Sequence, residues 1–223
     1  MPGIKVEEIC GGSAYKGQVW LDAALQIYSE NGKEAYREIG HFKSGAPFLF
    51  GEQARISLSH TKGLLAVATL PPTPEVTLGD YSDRAALGID CERADRSQVL
   101  KVRDRFLRPD ELAMIPADDL QANLIAWTAK EAAYKAALGE VGDFREDIRI
   151  VSLPKPGPAT PVYDQKEFGE IVYGKAVVTG GDTGVDTEFT LYSYLSEGGD
   201  EGEDSYIVTL AFSPKCAKWG KGA

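Results

Sequence analysis

The sequence is poor in the residues that build several common kinds of site. Three cysteines in 223 residues, Cys10, Cys91 and Cys216, are too few and too scattered for a disulfide framework or a zinc cluster. Two histidines cannot make a histidine-rich metal centre. No apolar run approaches the roughly 20 residues of a membrane-spanning helix, and residues 1–10 lack the basic-then-apolar order of a secretion signal. Lysine and arginine number 24 against 34 aspartates and glutamates. The net charge of −10 gives no whole-molecule attraction to nucleic acid or anionic membrane. No glycine-rich phosphate loop, G-x-S-x-G elbow or C-x-x-C occurs, which counts against nucleotide-fold kinases, serine hydrolases and thioredoxin-like enzymes. A reducing cytoplasmic setting is expected, with neither nucleic acid nor membrane as a partner.

What is present is ordinary globular material, 43% hydrophobic and 26% charged, long enough for one large domain or two small ones. Ile4, Val6 and Ile9 suggest a short strand. Residues 19–28 fit helix and strand spacings alike, and Asn31-Gly32 is a turn signal. Residues 55–70 read as two strands flanking a Ser-His turn, and the proline cluster at 71–74 opens a connector to residue 84. Residues 85–92 predict a strand ending in acid. Residues 97–107 and 110–115 predict short helices, and residues 120–138 a longer one stopped by Gly139. Strands are expected at 148–153, 171–179, 188–195 and 206–212, with a proline-rich loop at 154–161 and a solvated acidic loop at 197–204. The pattern is α+β with mainly antiparallel strands.

Three constellations carry chemistry. In Leu87-Gly88-Ile89-Asp90-Cys91-Glu92, strand alternation points Asp90 and Glu92 one way and Cys91 the other, as a small apolar core residue. Two such carboxylates repel unless a cation lies between them, and an all-oxygen set suits Mg²⁺. Taken alone, the pair also fits a solvated strand end. In Trp127-Thr128-Ala129-Lys130-Glu131-Ala132-Ala133-Tyr134-Lys135, helical spacing places Trp127, Glu131 and Lys135 near one face. A carboxylate and an ammonium beside an aromatic suggest metal or phosphate binding there. In Ile56-Ser57-Leu58-Ser59-His60, the histidine fits either a phosphate contact or a turn cap.

Together and in this order, these motifs resemble the 4′-phosphopantetheinyl transferase superfamily, in particular its surfactin-synthetase-activating (Sfp-like) branch. That family shows S-x-S-H, then (I/V)-G-(I/V)-D-(I/V)-E, then F-(F/L)-x-x-x-E, then W-(S/T)-x-K-E-(A/S)-x-x-K. Here they stand as Ser57 to His60, Leu87 to Glu92, Phe106-Leu107-Arg108-Pro109-Asp110-Glu111 and Trp127 to Lys135. The resemblance spans residues 43–144. Leu87 and Cys91 are mild departures. The family's G-(K/R)-P reads Gly45-Ala46-Pro47, so a basic residue is missing at Ala46, and Lys43 and Lys62 are the candidates to replace it.

The resemblance implies two similar α/β halves packed as an intramolecular pseudo-dimer in a monomer. Residues 1–80 would serve the coenzyme A adenosine side, and residues 81–223 the metal and the carrier. It implies transfer of the phosphopantetheine arm of coenzyme A to a serine of an apo acyl or peptidyl carrier protein, with release of adenosine 3′,5′-bisphosphate. Asp90, Glu92 and Glu131 would hold Mg²⁺, with Mn²⁺ as an alternative. Glu131 would be the first choice of base and Glu111 the second. Lys135 would meet the pyrophosphate, His60 beside Ser59 the adenosine 3′-phosphate. The carrier would dock on a basic stripe of Lys101, Arg105 and Arg108. The same acids and Lys135 would also serve a Mg²⁺-dependent phosphohydrolase of a nucleotide-like diphosphate, and Gly45-Ala46-Pro47 would suit a non-catalytic coenzyme A or carrier binder.

Overall fold

The computed structural model describes residues 5–10, 39–41, 45–49, 55–70, 86–139, 141–157, 172–180, 186–198 and 204–214. Its elements run β1 (Lys5–Cys10), β2 (Ile39–His41), β3 (Pro47–Leu49), β4 (Arg55–Thr61), β5 (Leu64–Leu70), β6 (Ala86–Arg93), α1 (Gln98–Phe106), α2 (Pro109–Met114), α3 (Leu120–Ala136), β7 (Ile148–Ser152), β8 (Gly174–Val178), β9 (Thr187–Gly198) and β10 (Asp204–Ser213). Among the described residues these strands form three sheets, all antiparallel: β1-β5-β4, the five-stranded β6-β10-β9-β8-β7, and the pair β2-β3. The ambiguous stretch at 19–28 and the connector at 71–84 lie outside the described residues.

Alternation along the strands sorts the five-stranded sheet into two faces. Ile148, Ile150, Ala176, Val178, Phe189, Leu191 and Ala211 face the alanine side of α3, built from Ala129, Ala132, Ala133 and Ala136. Leu87, Ile89, Cys91, Val208 and Leu210 face the other way and pack against Leu64, Ala66 and Ala68 of β5. Cys91 is therefore a buried core thiol, turned away from Asp90 and Glu92. A third cluster, with Val99, Phe106, Leu107, Leu124, Ile125 and Ile207, seats α1 against α3.

Gly88 explains how close α3 comes to β6. A β-carbon there would sit 1.9 Å from the Ala132 carbonyl oxygen and 2.7 Å from the Ala136 nitrogen, both backbone atoms that cannot swing aside. Glycine together with the alanine face lets the helix lie on the strand, which brings Glu131 and Lys135 over Asp90. Gly88→Ala should lift α3 and cost about 1–3 kcal/mol of stability in urea unfolding. An unchanged unfolding midpoint would show that the helix has room to move.

Two boundaries differ from the sequence expectations. The turn of the β4–β5 hairpin falls at Lys62-Gly63, where Gly63 takes φ +93°, and Ser59 and His60 lie within β4 opposite Ala66 and Leu65. Two-residue hairpin turns need positive φ, which glycine supplies and Ser-His does not. The long helix closes at Ala136 because Leu138 (φ 57°) and Gly139 (φ 73°) turn left-handed, and the Gly139 N–H bonds back to the Tyr134 carbonyl at 3.0 Å.

Candidate functional site

Strand β6 is the edge of its sheet, so every second backbone group on its outer side needs a partner from elsewhere. Strand β4 provides them. The Ile89 N–H donates to Ser57 Oγ at 3.0 Å and the Cys91 N–H to Ser59 Oγ at 3.2 Å. The two-residue spacing of the serines matches the two-residue spacing of the outward N–H groups, which is the physical content of the S-x-S motif. Lys135 closes the same edge by donating to the Ile89 carbonyl at 3.2 Å.

Asp90 sits at the centre of this seam. Its Oδ1 accepts from Ser59 Oγ at 2.7 Å and from Lys135 Nζ at 2.7 Å, and the residue is buried. Glu131, one turn before Lys135 on α3, is partly buried near both. Desolvation holds its carboxyl above the ordinary value of 4.5, the charge of Asp90 pushes it further up, and Lys135 opposes them. Glu92, two residues along β6, is paired through Oε1 with Arg96, while its Oε2 is buried without a hydrogen-bond partner. Trp127 anchors the N-terminal half of α3, packing edge-on to Phe106 at 5.0 Å and tilted against Phe144 at 5.8 Å.

The raised Glu131 carboxyl has a consequence for stability. A carboxyl whose folded pKa lies above its unfolded one contributes stability that is present below the unfolded value and lost as pH rises through the folded value. Glu131→Gln should therefore melt higher than the parent at neutral pH, with the gap closing as pH falls towards 4.5, the ordinary value for glutamate. A variant that melts lower than the parent at neutral pH would show that Glu131 is held by favourable partners.

Beside Lys135 opens a cleft of about 200 Å³ lined by Gly45, Ala46, Pro47, Leu87 and Tyr134 together with the Ile56–Leu58 part of β4 and the end of α3 at Leu138 and Gly139. It is mostly apolar, and Lys135 is the cation in its lining. Ala46 forms part of the wall. Lys62 is exposed in the hairpin turn, and Lys43 lies outside the described residues. His60 is exposed on the side of β4 opposite Ser59.

The remaining candidates have the following surroundings. Ser59, the candidate beside coenzyme A, directs its hydroxyl to Asp90 and to the Cys91 N–H. Glu111 is not at the Asp90 cluster. It is buried and paired with Lys130 at 2.8 Å, and it accepts the Arg108 N–H at 2.7 Å and the Ile150 N–H at 2.5 Å. A carboxylate engaged in this way holds α2, α3 and β7 together. Arg108 is not on α1 at all. The helix ends at Phe106 with Leu107 as its extended cap, and Arg108 is the extended cap of α2, paired with Asp110 at 3.2 Å and Glu146 at 3.5 Å. The expected three-residue stripe reduces to Lys101 and Arg105, both exposed on α1. Sequence reasoning missed Arg96 and Ser57. Ser57 was signalled by its two-residue offset from Ser59, whereas nothing in the pattern pointed Arg96 at Glu92.

Among the described residues, no three histidine, cysteine, aspartate or glutamate side chains are gathered as a ready-made metal centre. Two basic side chains, Lys135 and Arg96, neutralise the acids instead. The donor set nevertheless fits a hard divalent cation. It offers carboxylate oxygens only, one of them buried and unpartnered, and burial followed by the charge of Asp90 raises the Glu131 carboxyl.

A protein-family comparison bears on the readings this cluster allows. Residues 86–180 match the 4′-phosphopantetheinyl transferase superfamily. No curated protein matches the chain. The superfamily segment, which covers under half of the chain, begins at β6 and ends just after β8. It contains Asp90, Glu92, Arg96, Glu111, Glu131 and Lys135, while Ser57, Ser59 and the cleft wall at Gly45–Pro47 lie before it. Superfamily members transfer phosphopantetheine to carrier proteins, so the match associates this segment with transferase chemistry. No helix among the described residues is long and apolar enough to cross a membrane.

Proposed function

We propose that this chain transfers the 4′-phosphopantetheine arm of coenzyme A to a serine of an apo acyl or peptidyl carrier protein, as an Sfp-like member of the superfamily acting as a monomer in the cytoplasm. The observation that carries the reading is the meeting of Asp90, Glu131 and Lys135 beside the cleft, within the matched segment. In the transfer, the serine Oγ–P bond forms, the bridging P–O bond of the pyrophosphate breaks, and adenosine 3′,5′-bisphosphate leaves with the electron pair. Asp90, Glu92 and Glu131 would hold Mg²⁺ or Mn²⁺, which when bound supplies positive charge to the pyrophosphate oxygens.

The chain's own residues do the rest. Ser59 orients Asp90. Glu131, the carboxylate next to Asp90 and Lys135, accepts the serine hydroxyl proton. Lys135 turns from Asp90 to the pyrophosphate, which it can reach because it lines the cleft as well as the acid cluster. His60 meets the adenosine 3′-phosphate, with Lys62 and Lys43 as the further cations on that side. Residues 1–80 and 81–223 act as the two halves of a pseudo-dimer.

Docking of the carrier belongs to α1. In a chain of net charge −10, an acidic partner needs a local positive surface to orient it. Lys101 and Arg105, one helical turn apart and exposed, provide it, while Arg103 is tied to Asn123 at 2.9 Å and to the Ile115 carbonyl at 2.5 Å. Lys101→Glu with Arg105→Glu should raise the carrier KM several-fold at low salt and weaken its salt dependence, with the coenzyme A KM unchanged. Parent-like carrier kinetics at low salt would place docking elsewhere.

The reading is tested by incubating the protein with coenzyme A, Mg²⁺ and a panel of apo carrier proteins, and following intact mass. Gain of one phosphopantetheine by a carrier supports it. Free phosphopantetheine with unmodified carriers would instead mean a phosphohydrolase, and coenzyme A binding without either product a binding module.

A further inference from the structure

Glu92 is 8% exposed, and only one of its carboxylate oxygens has a partner in the protein. A buried carboxylate oxygen without a donor or a cation is costly to keep. The partner on the other oxygen, Arg96, is held loosely by comparison. Its side chain is half exposed, so its guanidinium loses little by returning to water. Arg96 also stands in the turn between β6 and α1, where its backbone N–H meets the Arg93 carbonyl at 3.2 Å. Its side chain can rotate away without breaking a strand or helix bond.

We propose that Arg96 is a displaceable counter-ion of Glu92, giving way when a divalent cation takes the carboxylate and then adding its charge to the foot of α1. The inference rests on the reading of Asp90, Glu92 and Glu131 as a cation site. Two cations on one carboxylate repel, so occupancy by the ion drives the guanidinium out. The freed Arg96 adds its charge before the first turn of the docking helix, which carries the exposed Lys101 and Arg105 further along. Cation binding thereby strengthens the surface that receives an acidic carrier, and a docked acidic partner, by holding Arg96 outward, tightens cation binding by the same factor. Asp90 has Lys135 in the corresponding position at 2.7 Å, and Lys135 also forms part of the cleft lining. The two basic residues thus divide the work, one serving the small substrate and the other the protein substrate.

The test is Mn²⁺ binding to the full chain without substrate, followed by the loss of the free-ion electron paramagnetic resonance signal. Arg96→Ala should bind Mn²⁺ about fivefold more tightly than the parent, the size expected for removing a half-exposed charge-assisted competitor. Arg93→Ala is the control for net charge, because Arg93 is next to Glu92 in sequence but pairs with Asp95 and Asp204 at 2.9 Å. It should give a clearly smaller change. In a Glu92→Gln background, Arg96→Ala should have no effect. Arg96→Gln, checked for folding by circular dichroism, repeats the comparison with a side chain of similar length. Parent-like or weaker Mn²⁺ binding by folded Arg96 variants, or an equal gain in the Glu92→Gln background, would overturn the proposal while leaving the cation site standing. Absence of Mn²⁺ binding by the parent would overturn both.

Discussion

Lys130→Met should lower the stability of the fold by about 3–5 kcal/mol, the loss expected when one partner of a fully buried ion pair is removed and the other is left behind. Lys130 is 0% exposed, and its ammonium meets Glu111 at 2.8 Å, the Ile148 carbonyl at 2.6 Å and the Arg145 carbonyl at 3.0 Å. Burial pulls its pKa down and Glu111 pushes it back up. Glu111 in turn caps the first turn of α2 through the Arg108 N–H and holds β7 through the Ile150 N–H. One pair therefore joins α2, α3, β7 and the loop leading into it. Lys175, paired with Glu188 at 2.9 Å on the surface, is the comparison, and Lys175→Met should cost about 0–1 kcal/mol. Urea unfolding of the two variants checks the difference. If both lose the same small amount, the buried pair has no structural weight and Glu111 is open to another role.

Much of the fold was legible because the signals are local. The D-x-E strand, the helix at Leu120–Ala136 and the late strands rest on alternation, alanine content and β-branched runs, all read within a few residues. The opposite facing of Asp90 and Glu92 from Cys91 follows from the pleat alone. Features that depend on distant partners were less legible. Gly88 is required by the crossing of α3, which no short window contains. Glu111 shows as an acid at a motif position, but its burial against Lys130 depends on α2 folding back to meet α3 and β7. Arg108 fell out of the expected stripe because Pro109 starts a new helix at its first position, so the step from Arg105 to Arg108 crosses a break and helical spacing no longer applies. Arg96 is four residues from Glu92, an offset that matters on a helix and means nothing at a strand-to-turn junction. The hairpin turn could have been read one step better, since Gly63, not His60, is the residue suited to positive φ.

The proposal that Glu131 takes the serine proton predicts a large kinetic effect with little loss of structure. Glutamine keeps the shape and the hydrogen-bonding capacity of the side chain but cannot accept the proton. It also relieves the burial and Asp90 repulsion that hold the carboxyl high, so the fold should be retained. General-base contributions are typically about 10²–10⁴-fold, and loss of a metal ligand would add to that. Coenzyme A binding in the absence of metal should be close to that of the parent, because Lys135 and the cleft wall are untouched.

The most direct measurement is the single-turnover rate of carrier mass gain, with parent and Glu131→Gln side by side under saturating coenzyme A and Mg²⁺. The account predicts that the parent adds one phosphopantetheine to the carrier serine and that the folded variant does so at least about a hundredfold more slowly. Transfer by Glu131→Gln at the parent rate would contradict it, as would a parent that leaves every carrier unmodified.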